Sequence, residues 1–214
     1  YYCFREVNSN DVPIDAYSVI PEIRTNYVPF VSGVELNGAA NISLTGDTTV
    51  IGSTATISDS DGFSDISGSN GKIYRSGVGQ GCSANSNNCY INAACALSGC
   101  AGTTCASTCN YTVQYHADPT DVATPWTSES WFAWIRGVDA QGAEDSATSV
   151  ATTDIISFLM ADATPSINYG SLYIGGTVDP VSKQTQIRNK GNVSMDTAVY
   201  GIEMTSGINS IPVG

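Results

Sequence analysis

The chain has 214 residues, a net charge of −12 and only 13% charged residues, against about 25% in ordinary soluble domains. Its 42% apolar content excludes a disordered polymer, and its acidic balance makes nucleic acid a poor partner. The longest clean apolar run, residues 155–161, is interrupted by Ser157 and too short to span a bilayer.

Helix signals are weak throughout. Short alternating runs bounded by Gly, Asn, Asp and Pro recur instead, which predicts an all-β chain built as a sandwich or barrel. Residues 1–7 and 14–23 read as a hairpin around a turn at 8–11. A lone hairpin is unstable in water. Residues 1–24 are therefore expected to be the last strands of a preceding domain, and both ends of the chain read as cuts in a longer protein. A complete sandwich of seven strands is expected over 25–153. Six of its strands are read at 31–36, 50–57 (Ala55 and Ile57 inward), 72–75, 110–116, 131–139 and 146–153. In 110–116, Tyr111, Val113 and Tyr115 share one face. A turn at Ala140-Gln141-Gly142-Ala143 separates the last two strands. Residues 154–214 read as the start of a further domain, with strands at 155–160, 167–174, 184–188 and 198–204. Asn189-Lys190-Gly191-Asn192 is a strong turn signal.

Seven cysteines give the clearest clue to compartment. Cys82, Cys89, Cys95, Cys100, Cys105 and Cys109 crowd into one window, 82–109, among Ser, Asn, Gly and Ala. That composition reads as an insertion in which disulfides replace apolar burial, each contributing about 2–4 kcal/mol. Bridges imply an oxidising compartment. Six cysteines allow fifteen pairings, so connectivity stays open. Zinc is the rival reading, but no pair shows the two-residue gap and His116 is the only histidine. Cys3 is expected to bond to a cysteine upstream of residue 1.

Asp59-Ser60-Asp61-Gly62-Phe63-Ser64-Asp65 is the sharpest local motif. Asp59, Asp61 and Asp65 stand around a glycine turn, where hard oxygen donors can converge on Ca²⁺. No closing Glu completes an EF-hand pattern. The competing reading is a solvated turn whose Asp side chains cap backbone amides. Ca²⁺ is the one cofactor the sequence suggests.

Catalytic signals are thin. His116, Asp118 and Asp121 lie close in sequence, but no G-x-S-x-G elbow accompanies them. Gly77-Val78-Gly79-Gln80-Gly81 precedes no helix, which argues against a phosphate cradle. No catalytic residue is assigned, and the chain is expected not to be an enzyme. In the strand at 131–139, Trp131, Ala133 and Ile135 fit an inner face. Phe132, Trp134 and Arg136 then point outward and form a candidate contact surface. A covering loop is the other reading. Asn41, Asn110 and Asn192 begin glycosylation acceptor triplets.

Three stretches carry a resemblance. TATISDSDGFSDI with KIYRSGV resembles the early strands of bacterial immunoglobulin-like domains. WFAWIRGVDAQGAEDSATS resembles the last hairpin of polycystic-kidney-disease-type folds. INYGSLYIGG with IRNKGNVSM resembles the start of another immunoglobulin-like family of secreted arrays. The whole chain, with its cysteine window and YHADPTD, looks like tandem-domain surface proteins of uncultured bacterial lineages. The resemblance implies tandem immunoglobulin-like sandwiches that serve spacing, assembly or adhesion, and it transfers no catalytic residues.

The expected role is a structural segment of an extracellular surface protein, such as a filament, stalk or surface layer. Its partners would be neighbouring domains or copies of itself. An adhesin or carbohydrate-binding module is the second reading, and an accessory region of a secreted hydrolase the third. Nucleic-acid binding and a membrane span within these residues are not expected.

Overall fold

A computed structural model describes residues 25–164, 185–198, 200, 204–206 and 209–211. The expected hairpin of 1–24, Cys3 and the expected strand at 167–174 lie outside them.

The regular secondary structure of the described residues is almost wholly β. Strand β1 is Phe30–Leu36, β2 Thr48–Ser58, β3 Ile66–Arg75 and β4 Cys89–Asn92. Next come β5 Ala96–Ala101, β6 Thr104–Gln114, β7 Trp131–Asp139 and β8 Glu144–Thr148. Two four-stranded antiparallel sheets result, ordered β1-β2-β6-β5 and β4-β3-β7-β8. Two short pairs follow: β9 Ala161–Ala163 with β10 Ile187–Asn189, and β11 Met204–Ser206 with β12 Asn209–Ile211.

The central strands form because their apolar residues alternate. In β7, Trp131, Ala133 and Ile135 are fully buried while Phe132, Trp134 and Arg136 are half-buried. This is the inward set expected from the period of two. In β2, Ile51, Ala55 and Ile57 face inward and Val50 outward. In β6 the inward row is Cys105, Ser107, Cys109, Tyr111 and Val113. These rows meet in one core.

The sheets approach closely at two glycines. A Cβ on Gly71 of β3 would lie 2.7 Å from the Tyr111 hydroxyl and 2.9 Å from Cys109 Sγ, both on β6. A Cβ on Gly137 of β7 would lie 2.9 Å from Ile57 of β2. Between them, Ser69 and Ser107 share a buried hydrogen bond of 2.8 Å across the layers.

Three sequence expectations change. The cysteine window is not an insertion outside the sheets. It supplies β4, β5 and the first half of β6, and Cys105 and Cys109 sit in the core. Disulfide sulfur carries the burial that aliphatic side chains carry elsewhere, so the hydropathy pattern there does not read as strand. Counting β4 and β5, the two sheets hold eight strands rather than seven. Residues 155–160, expected as a strand, hold only a bridge at Ile155. Ile155 pairs in parallel with Ile42 and is fully buried in the central core. The backbone of 153–156 crosses the end of both layers, with Trp131 N donating to Thr153 O and Ile156 N to Ile42 O.

Candidate functional site

The loop after β2 and the ends of β3 and β7 build the most unusual cluster. Asp59 follows the last residue of β2, and its amide donates to Thr103 O at 2.7 Å. Gly62 turns the chain with φ of 109°, a conformation glycine adopts without cost. A single 3₁₀ turn, Phe63–Asp65, then leads into β3. The β3–β7 register pairs Ile66 with Asp139, which sets Asp65 beside the end of β7.

Asp59, Asp65 and Asp139 each bring one carboxylate oxygen within 4.8 Å of the others. Asp59 and Asp139 are both 2% exposed, and Asp65 is half-buried. Asp59 Oδ1 accepts from the Asp61 amide at 2.8 Å, but Asp59 Oδ2 is buried with no hydrogen-bond donor among the described residues. Asp65 Oδ2 is likewise buried and, among the described residues, unpartnered. Asp139 is better supported: Gln141 N and Ala143 N donate to Oδ1, and Asn26 Nδ2 donates to Oδ2. Burial raises the Asp139 pKa, but the hydrogen bonds from Asn26, Ala143, Gln141 and Gly142 outweigh it and hold the carboxyl below its usual range.

Of the three aspartates singled out in sequence, the structure gathers Asp59 and Asp65. Asp61 is exposed and accepts from the Tyr27 amide at 2.7 Å, tying the incoming chain to the loop. Asp139 had no local signal. It stands 74 residues after Asp65, and only strand pairing brings it in. A cavity lined by Thr25, Asn26, Asp61, Ser64, Asp65 and Gln141 opens beside the cluster.

The six cysteines of the window form three bridges: Cys82–Cys89, Cys95–Cys109 and Cys100–Cys105. Cys95 lies where the chain leaves β4 in one sheet for β5 in the other. Its amide donates to Ser69 O of β3, and its sulfur bonds Cys109 of β6. The bridge thus pins the crossover between layers. Cys100–Cys105 closes the β5–β6 hairpin, and Cys82–Cys89 anchors the preceding loop to β4.

On the outer face of β7, the half-buried Phe132, Trp134 and Arg136 contact their own sheet. Lys72 Nζ stands 5.2 Å from the Trp134 ring centre. Tyr74 and Phe132 lie 6.2 Å apart, and Arg136 pairs with Glu144 at 2.8 Å. Trp134 Nε1 is buried without an acceptor among the described residues.

The His116 group does not converge. His116 Nε2 meets Ser86 Oγ at 3.0 Å, while Asp118 accepts from Arg75 Nε at 3.0 Å. Arg75, 8% exposed, also pairs with Glu129 and lies against Trp126. Burial raises the Asp118 pKa above its usual value despite Arg75 and Asn88. Asp121 accepts from Ser157 instead. Among the glycosylation triplets, Asn41 and Asn110 are exposed. Both ends of the Asn192 amide are engaged, accepting from Phe158 N and donating to Ile156 O.

Among the described residues, no helix is long and apolar enough to cross a membrane. No family model, curated protein or solved structure matches the chain.

Proposed function

We propose that this chain is a non-catalytic structural segment of an extracellular surface protein, acting as a spacer and assembly module built from immunoglobulin-like units. The observation that carries this reading is the strand order. An immunoglobulin sandwich sets strands A, B, E and D against C, F and G, with an added C′ beside C in the larger form. Taking β1 to β8 as A, B, C, C′, D, E, F and G, the two observed sheets are A-B-E-D and C′-C-F-G. The three bridges support an oxidising, extracellular setting.

The assembly role rests on the outer face of β7. Trp134 and Arg136 are residue types enriched at protein contacts. The test is sedimentation of the chain over a concentration series, alongside glycan binding, for wild type and Trp134→Ser. Self-association weakened roughly tenfold or more by the substitution is the expected result. Saturable sugar binding lost in the same variant, without self-association, would replace the assembly module with a carbohydrate-binding one.

A further inference from the structure

The cluster at the end of β7 has the donors of a cation site and, among the described residues, no cationic side chain to balance it. Three carboxylates lie within 4.8 Å of one another. Two oxygens bound to one Ca²⁺ stand at most about 5 Å apart, twice the bond length. Asp59 is 2% exposed, yet among the described residues its Oδ2 faces no donor, and Asp65 Oδ2 repeats the pattern. Buried polar atoms are almost always satisfied, and a buried carboxylate without a partner is costly. Among the described residues, no lysine or arginine forms an ion pair with any of the three.

We propose that Asp59, Asp65 and Asp139 form a Ca²⁺ site that fastens the incoming chain to the two sheets.

Each ligand comes from a different junction: the end of β2, the turn before β3 and the end of β7. One ion therefore ties both layers at one end of the body. Asn26 donates to Asp139 Oδ2 at 2.8 Å, and Tyr27 N to Asp61 Oδ2 at 2.7 Å, so the segment preceding β1 is held both by the end of β7 and by the loop after β2. The cavity lined by Asn26, Asp61, Asp65 and Gln141 gives the ion a route in and room for water ligands. Ca²⁺ accepts six to eight oxygens in flexible geometry, which suits three carboxylates completed by water. The site is independent of whether the chain is a spacer.

The experiment uses the full chain stripped with chelator. Thermal melting and calorimetric titration are run with CaCl₂, and separately with MgCl₂, for wild type, Asp65→Asn and Asp59→Asn. Wild type is expected to bind one Ca²⁺ and to melt roughly 5–15 °C higher at about a hundredfold excess over Kd. In chelator the two variants are expected to melt at or above wild type, because each removes a like charge from the cluster. In Ca²⁺ both should fall below wild type, and neither should show the calorimetric binding. That crossing would not arise from a merely structural aspartate. A wild type without a Ca²⁺ response would overturn the site. So would a full response in Asp65→Asn. An equal response to Mg²⁺ would overturn its assignment to calcium.

Discussion

Tyr111 carries a phenol into the space between the sheets, 3.3 Å from Ser53 Oγ and 3% exposed. Burial pushes its pKa from 10.0 up to about 12, with the Ser53 bond opposing only in part. The folded state therefore holds this proton more tightly than the unfolded chain does. Its contribution is fully present below about pH 10 and is lost as pH rises toward about 12. A shift of that size corresponds to about 3 kcal/mol. Tyr111→Phe keeps the ring and removes the ionisation, so its stability should fall less than that of wild type across this window. Urea unfolding curves over that range decide the point, and parallel losses in both proteins would place the alkaline sensitivity elsewhere. Tyr90 is also raised to about 12 by burial, so it titrates in the same window and leaves a residual slope in Tyr111→Phe.

The β-strands differ in what holds them. β7 was legible residue by residue because Trp131, Ala133 and Ile135 alternate with larger or polar neighbours. β4 and β5 were not, because their inward positions are Cys, Tyr and Leu among small polar residues, and a sulfur bridge replaces aliphatic contact. The bridges should accordingly differ in weight. Cys95–Cys109 spans 14 residues and Cys100–Cys105 spans 5. Loop closure alone assigns about 3 and about 2 kcal/mol to such bridges. Cys109 is also fully buried and Cys95 marks the crossover between sheets, so the longer bridge carries packing as well. Replacing Cys95 and Cys109 together by Ala should lower stability by more than about 3 kcal/mol. The Cys100/Cys105 double replacement should cost less. Chemical denaturation of the two pairs ranks them. The reverse order would mean that the hairpin, not the crossover, is where the cysteines matter.

At the scale of the molecule, composition and periodicity revealed an all-β, bridged chain, because they report on burial and chain entropy summed over many residues. They did not reveal which distant residues meet. Asp139 joins Asp59 and Asp65 only through the β3–β7 register. Ile155 joins the core only because 153–156 folds back against Ile42 and Trp131. From sequence, Ile155 sits at the head of an apolar run that looks like a new strand. In space it plugs the end of the two-sheet body, between the buried Ile42 and the Thr120 amide that donates to its carbonyl. This has a consequence for cooperativity. Removing a fully buried isoleucine side chain down to Ala costs about 2–5 kcal/mol where the cavity cannot collapse. If 153–156 belongs to the central body, Ile155→Ala should lower the temperature at which the whole body melts. The transition should stay single, and amide exchange at Ile42, Trp131 and Ile156 should accelerate together with that of β2 and β6. A variant that melts like wild type, with faster exchange confined to residues after 153, would show that the strap is an independent segment resting on a core already complete without it.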